Sequence, residues 1–454
     1  MVKPNQLYLL FAGCCLSACS TYQAGELPKE PSLPNTIPHL VVDQQSLPFA
    51  SMRNHAFDPS GGLDIDDAAI VAVLNNPDLK LARDEAGIAR AQAFAAGLLP
   101  DPQLSLSRDL TNSGGPGSSK AFSAGLSMDI LALITYHAND AASQADIKKT
   151  DLNLLWQEWQ VAAQARLLYV RLIYARKNQV LLESSRELFA VRASNNQQAY
   201  AKNLISNDAT LPDLTALQDI QKQNSDLARQ INQLEHEFNQ LLGLSPDATV
   251  KLLDSAPLPE LDETAIVERI ALLPQQRPDL LALQSGFEAQ DQRYRAALIA
   301  QFPALNIGFT HARDATGIYS SGLGVTLSLP LFNRNRGNVA IERSTRDKLI
   351  DDYQLRLDSA NSDIHKILAE QRINAQQLAE IQTTLKQFSA LTGNADVAYQ
   401  KNIVDTLIYT NAHTTLLAKQ IEEINLLQAM LEQRVALQTL IGGELPVQTN
   451  LKKN

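Results

Sequence analysis

The second half of this chain repeats the first half, shifted by about 200 residues. The segment Asn76-Pro-Asp-Leu79 recurs as Arg277-Pro-Asp-Leu280, and Pro100, at the end of a long helix-like stretch, recurs as Pro303. Later positions recur with the same offset: Leu217, Leu227, Ile231, Leu241 and Gly243 become Leu417, Leu427, Leu431, Ile441 and Gly443. A duplication this regular predicts one symmetric architecture rather than two unrelated domains.

The N-terminus is typical of a secretory signal. Lys3 precedes an apolar stretch, Leu7 to Ala18, that is too short to span a bilayer as a helix. The stretch ends in Leu16-Ser-Ala-Cys19, which resembles the bacterial lipobox, and Ser20 favours the outer membrane. We therefore predict a lipoprotein signal peptide over residues 1–18 and covalent lipid on Cys19. The alternative is an ordinary signal peptide with a chance cysteine.

Composition excludes several functions. The chain has 39 Lys and Arg against 49 Asp and Glu, so we predict no nucleic-acid partner. Cys19 would be the only cysteine of the mature chain, and the seven histidines show no metal-ligand spacing. We therefore predict no enzyme activity, no catalytic or metal site and no cofactor apart from the lipid. The mature sequence also lacks an uninterrupted apolar stretch of 18 residues, so any membrane crossing would need strands.

The duplication and the turn signals divide the chain into segments. After the signal peptide we predict a lipidated, Pro-rich arm over 19–62, which lacks helical periodicity. The first repeat spans 63–250, the linker 251–263, the second repeat 264–445 and the tail 446–454. Asp64 is the expected N-cap of the first helix, and Asn75-Asn-Pro77 is expected to separate two shorter helices.

Each repeat contains two short segments in which apolar and polar residues alternate. In the first repeat they lie at about 102–110 and 121–130, and in the second at about 303–312 and 321–331. Their lengths suit tilted transmembrane strands. Alternation alone is equally consistent with soluble hairpins that bury one face.

Long helical patterns follow each strand pair, at about 138–203 and 337–402, and return helices run over about 213–242 and 406–441. The spacing of Leu227, Ile231, Leu234, Phe238 and Leu241 forms a heptad seam, so each repeat should end in an antiparallel coiled-coil hairpin. Four strands cannot close a sheet, whereas three copies would supply twelve. The predicted fold class is therefore mainly α with a small transmembrane β part, assembled as a homo-oligomer.

From about 63 to 443 the chain resembles the TolC family of outer-membrane efflux proteins. The resemblance is carried by Ala69 to Leu79, Leu98 to Pro102, Arg277 to Leu280, Leu327 to Phe332 and Tyr399 to Leu407. It implies a trimeric α/β-barrel channel that docks onto a periplasmic adaptor, or membrane fusion protein, and an inner-membrane pump of the RND type. The channel would sit in the outer membrane, lipid-anchored, with its helical tunnel in the periplasm.

The segment after the last strand resembles the junction of CzcC-type channels from cobalt–zinc–cadmium efflux systems. It comprises Phe332, Asn333, Arg334, Asn335, Arg336, Gly337 and Asn338. This resemblance implies heavy-metal cations as cargo, although Asn and Gly also serve the backbone geometry of a turn. The alternatives are a channel for drugs or organic solutes, a type I secretion channel and, in a different class, a lipid-tethered periplasmic coiled-coil scaffold.

The family resemblance also implies site residues at the hairpin tips. Asp405, in Ile403-Val-Asp405, matches an acidic residue that narrows the periplasmic aperture, whereas the family's next acidic position is Ile408 here. Asp213 holds a comparable position in the first repeat, with a helix N-cap as its alternative role. The tips themselves should dock the adaptor, through Ile205, Ser206, Asn207, Lys401 and Asn402.

Overall fold

A computed structural model describes residues 24–37, 45, 47, 50–109, 119–254, 258, 261–401, 403–443 and 445–446. The predicted signal peptide 1–18, the lipidation site Cys19 and the tip residue Asn402 lie outside the described residues.

The first repeat opens with two short helices whose start signals are local. Helix α2 (Ile65–Asn75) begins at Asp64, whose side chain accepts hydrogen bonds from the amides of Asp66 and Asp67. Asn76 then separates α2 from α3 (Pro77–Gly97), as the Asn-Asn-Pro sequence predicts. Before them, the Pro-rich arm includes a short helix, α1 (Ala50–Asn54), which the sequence pattern did not indicate.

Four strands form one antiparallel sheet in the order β1-β2-β3-β4. The strands are β1 (Gln103–Asp109), β2 (Ala121–Asp129), β3 (Ala304–Arg313) and β4 (Tyr319–Ser328). The sheet joins the two repeats, because β2 pairs with β3. Within the described chain β1 and β4 are its edges, and nearly all their side chains are exposed.

Two very long helices follow the strand pairs. Helix α4 (Ile130–Ala201) has 72 residues, which corresponds to a rod of about 108 Å at 1.5 Å per residue. Helix α9 (Arg336–Gln400) is its counterpart in the second repeat. The return helices are α5 (Asn207–Leu241) and α10 (Thr406–Ile441), so α4–α5 and α9–α10 form two antiparallel hairpins. No helix in the described ranges combines the length and apolarity needed to cross a bilayer.

The main core lies at the level where the short helices meet the hairpins. Residues Ala68 to Val73 of α2 are all buried, packed against the middle of α4 and the C-terminal part of α5. The heptad residues Ile231, Leu234, Phe238 and Leu241 belong to this cluster. The second repeat builds a smaller core from α6 (Glu263–Ile270), α7 (Leu273–Gln276), α8 (Pro278–Ile299), α9 and α10.

The duplicated Pro-Asp-Leu corner packs against the end of the return helix in both repeats. In the first repeat, Asn76 Nδ2 donates a hydrogen bond to the carbonyl of Leu241 at 2.8 Å. In the second, Arg277 Nη1 donates to the carbonyl of Leu440 at 3.4 Å. These carbonyls belong to last helical turns, which lack intrahelical donors. The corner therefore satisfies helix ends that the core would otherwise leave unpaired.

Gly243 makes this corner possible in the first repeat. Its φ is +66°, and a Cβ added there would lie 2.3 Å from the carbonyl oxygen of Asn75. No L side chain fits that space without a shift of the backbone, and the left-handed conformation adds its own cost.

We predict that Gly243→Ala lowers the free energy of unfolding by more than about 2 kcal/mol, because strain and a backbone clash combine. Gly393→Ala is the matched control, since Gly393 lies inside α9 with open space around it. The control should be neutral or stabilising by up to about 1 kcal/mol. Thermal unfolding of the detergent-purified variants measures both effects, and equal midpoints would contradict the prediction.

Candidate functional site

The hairpin tips are the first candidate region. Helix α4 ends at Ala201 and α5 begins at Asn207, while α9 ends at Gln400 and α10 begins at Thr406. The predicted docking residues Ser206, Asn207 and Lys401 are exposed there, and Ile205 is half-buried. The tips also expose a set of apolar side chains: Leu204, Leu211, Ile403, Leu407 and Ile408. An exposed apolar set at the end of two rods is typical of an interaction surface.

Asp405 caps the second return helix. Its Oδ1 accepts a hydrogen bond from the amide of Ile408 at 2.9 Å, and the side chain stays exposed at the tip. The cap fixes the direction of the carboxylate, because the bonded oxygen is tied to the first turn of α10. Its role at an aperture stays a prediction.

Asp213, near the tip of the first hairpin, has a different environment from Asp405. The sequence predicts either an aperture carboxylate or a helix N-cap at this position. The N-cap prediction is wrong, because α5 begins earlier, after Ser206. Asp213 is fully buried within the chain. Asn196 Nδ2 donates to its Oδ2 at 2.8 Å, and the hydroxyl of Thr410 donates to its Oδ1. In this chain the carboxylate therefore faces the packed hairpins rather than the surface.

Arg192 balances the buried charge of Asp213. Its guanidinium forms an ion pair with Asp213 at 3.0 Å. It also contacts two neighbouring aromatic rings, 3.7 Å from the centroid of Tyr409 and 4.4 Å from that of Tyr399, a cation–π geometry. The four residues come from α4, α5, α9 and α10, so this cluster locks the two hairpins together close to their tips.

His413 extends this cluster along α10. Its Nε2 lies 2.8 Å from an oxygen of Asp396, and its ring lies 4.4 Å from that of Tyr409. Burial, together with the negative charge of Asp396, raises the pKa of Tyr409 to about 12. The phenol of Tyr409 therefore stays neutral at physiological pH.

The segment 332–338 makes the turn from β4 into α9. Arg334 and Asn335 have φ of 49° and 51°, in the left-handed region that Asn tolerates better than most residues. Asn335 Nδ2 donates to the carbonyl of Ala297 at 2.9 Å, and Asn338 Nδ2 donates to Asn335 Oδ1 at 2.8 Å. Phe332 is exposed, and Gly337 lies in open space. The asparagines thus have a clear backbone role, and the use of the motif as a subfamily marker stays a prediction.

We predict that Asp213→Ala loosens the hairpin tips, because it leaves the largely buried Arg192 guanidinium without its counter-charge. Removing one partner of a buried ion pair costs about 3–5 kcal/mol. Hydrogen–deuterium exchange should rise in the segments around 189–196 and 409–413. Asp219→Ala is the control, since Asp219 is exposed on the same helix. Equal exchange in both variants would show that the cluster does not stabilise the tips.

Comparison with known proteins gives a family match. Residues 270–443 match the model of the family described as "Outer membrane efflux protein". The probable outer membrane lipoprotein SilC of Salmonella typhimurium is 22% identical over 461 residues, covering 93% of this chain and 96% of SilC. The pyoverdine export outer membrane protein OpmQ of Pseudomonas aeruginosa is 25% identical over 418 residues, covering 84% and 86%.

The solved structures share the fold. The outer membrane channel CmeC of Campylobacter jejuni superposes with a TM-score of 0.71 at 17% identity, covering 96% of this chain and 97% of CmeC. These findings confirm the predicted fold class, a helical architecture with a small four-stranded sheet. They also confirm a transport protein rather than an enzyme, and they support the outer membrane as its location. The model of the outer membrane efflux protein family thus matches the second repeat, and the fold shared with solved outer membrane channels extends over both repeats.

Proposed function

We propose that three copies of this chain form the outer membrane channel of a tripartite efflux system. The channel passes heavy-metal cations passively from a periplasmic adaptor and an inner-membrane pump to the exterior. The lipid on Cys19, outside the described residues, would anchor each copy.

The surface of the sheet carries this proposal. Strand pairing places apolar residues opposite one another across all four strands, in the row Leu104, Leu126, Phe309 and Leu323. The next row on the other face is small or polar: Ser105, Gly125, Thr310 and Gly322. All four apolar residues of the first row are exposed in the single chain. A sheet with an apolar band across one face and small or polar residues on the other suits lipid outside and water inside.

The edges of the sheet explain why copies must combine. Strands β1 and β4 each pair on one side only within the described chain. Unpaired backbone groups cost several kcal/mol each in lipid, so neighbouring copies would have to complete the ladders. A ring of three gives twelve strands and six helical hairpins, which turns the duplication within one chain into near-sixfold symmetry around a pore.

The cargo is supported by more local features. The CzcC-like segment 332–338 favours metal cations, and the exposed carboxylate of Asp405 would be repeated once per copy at the tips. Converging carboxylates attract cations. The similarity to OpmQ favours the second candidate, an organic solute.

A deletion strain tests the cargo. If the proposal holds, loss of the gene raises sensitivity to zinc, cobalt, cadmium or copper, and a plasmid copy restores resistance. Increased sensitivity to organic toxicants or retention of siderophores, with unchanged metal tolerance, would replace the metal proposal with the organic-solute one.

We predict that Leu323→Arg prevents assembly in the outer membrane. Leu323 is 80% exposed on the apolar face, and an arginine on the lipid side of such a sheet costs about 2–4 kcal/mol near the bilayer centre. Thr326→Arg is the matched control, because Thr326 lies on the opposite face of the same strand. Detergent-extracted trimers, detected by their mobility before and after heating, should form with the control only. Equal trimer yields would contradict this orientation of the sheet.

We predict that Asp405→Asn lowers the preference of the channel for cations over anions. Asparagine retains the N-cap acceptor of α10 but removes one negative charge per copy. Asp208→Asn is the control, since Asp208 is an exposed acid in the first turn of α5. Reversal potentials across planar bilayers in a salt gradient give the selectivity. A shift no larger than that of the control would remove Asp405 from the aperture.

A further inference from the structure

Three ligating side chains meet where the N-terminal arm joins the first helix of the repeat. His55 follows α1, Asp64 is the N-cap of α2, and Asp67 lies in the first turn of α2. His55 Nε2 lies 2.9 Å from Asp67 Oδ1 and 3.4 Å from Asp64 Oδ2. The three ligating atoms all lie within 4.8 Å of one another.

These separations suit the coordination shell of a divalent metal ion. Zinc binds imidazole nitrogen and carboxylate oxygen at about 2.0–2.2 Å, so ligand atoms in its tetrahedral shell lie about 3.3–3.6 Å apart. The 3.4 Å between His55 Nε2 and Asp64 Oδ2 lies in this range, and the 2.9 Å between His55 Nε2 and Asp67 Oδ1 would lengthen by a few tenths of an ångström on binding. Small rotations of the carboxylates would bring the third pair of atoms within the same shell.

The capping box of α2 already orients the two carboxylates. Asp64 Oδ1 accepts from the amides of Asp66 and Asp67 at 2.9 and 2.8 Å, and Asp67 Oδ2 accepts from the amide of Asp64 at 3.2 Å. The second oxygen of each carboxylate is the one directed at His55. These backbone amides therefore fix the direction of both carboxylates, as outer-shell hydrogen bonds do for metal ligands.

Charge favours a cation at the same point. Asp67 is buried, with only 3% of its surface exposed, and two carboxylates face one imidazole. Arg166 pairs with Asp66, the residue between the two carboxylates, at 2.6 Å. Burial, followed by the negative charges of Asp64, Asp254 and Asp67, raises the pKa of the Tyr169 phenol.

We propose that His55, Asp64 and Asp67 bind one divalent metal ion with the ligand preferences of zinc, and that this ion fastens the N-terminal arm to α2. One imidazole and two carboxylates suit zinc and its first-row neighbours, with water completing the shell. The site is structural and lies at the core rather than at the sheet or the tips. It does not depend on the metal cargo proposed above.

Two variants separate this site from a simple ion pair between His55 and the aspartates. His55→Gln removes the imidazole. Asp64→Asn retains the N-cap acceptor of α2 but replaces the oxygen that faces His55 with an amide nitrogen, so the helix start is preserved. His236→Gln is the matched control, because His236 is exposed on α5 and outside this group.

The experiment uses the full-length protein, purified in detergent and treated with a chelator. Zinc binding is measured by isothermal titration calorimetry, and the melting temperature is recorded with and without zinc. We expect the wild type and His236→Gln to bind one zinc ion per chain more than His55→Gln and Asp64→Asn, and to melt at a higher temperature when zinc is present. The same zinc stoichiometry and the same zinc-dependent shift in all four proteins would overturn the proposal and leave an ion pair.

Discussion

The contact between the Pro-Asp-Leu corner and the end of the return helix is the constraint on which both repeats depend. A long hairpin leaves its last carbonyls unpaired where it re-enters the core, and each repeat supplies a donor there from the residue before Pro77 or Pro278. Gly243 and Gly442, both with positive φ, end the return helices at this corner. Because the corner fixes where each hairpin starts and ends, the strands above and the tips below are positioned from it.

The repeats solve the same geometric problem with different chemistry. Asn76 combines two roles, since its Oδ1 caps α3 while its Nδ2 donates to the carbonyl of Leu241, and Asn75 Nδ2 donates to the next carbonyl, that of Leu242. Arg277 has no capping oxygen, so it reaches the return helix as a cation and needs a neutralising partner, Asp279, at 2.7 Å. The Arg277 guanidinium also lies over the ring of Trp156, in a helix of the first repeat. The corner of the second repeat therefore also joins the two repeats to each other.

Much of the architecture follows from local signals, and the sites largely do not. Capping, strand alternation and helical period each depend on a few neighbouring residues. The sequence could therefore predict the N-cap at Asp64, the break at Asn76, the alternating strands and the heptad seam. The environment of Asp213 depends on Arg192 and Thr410, which come from other helices, so its position near the tip alone does not predict this environment. The spacing of His55 from other histidines and cysteines along the chain likewise does not indicate a metal site. Its ligand partners come together only because the arm folds back onto α2.

Part of the apolar surface is buried within a single chain, and part stays exposed until copies of the chain assemble. The core around α2, α4 and α5 buries its side chains fully within a single copy, and its polar groups are matched by caps and ion pairs. The sheet exposes its apolar face and two edges, and the tips expose Leu204 and Ile403. Before assembly, hydrophobic burial is therefore greatest in the middle of the molecule. The proposed metal site would hold the N-terminal arm onto this middle region, which can fold within one chain. Strands of neighbouring copies would pair only after that.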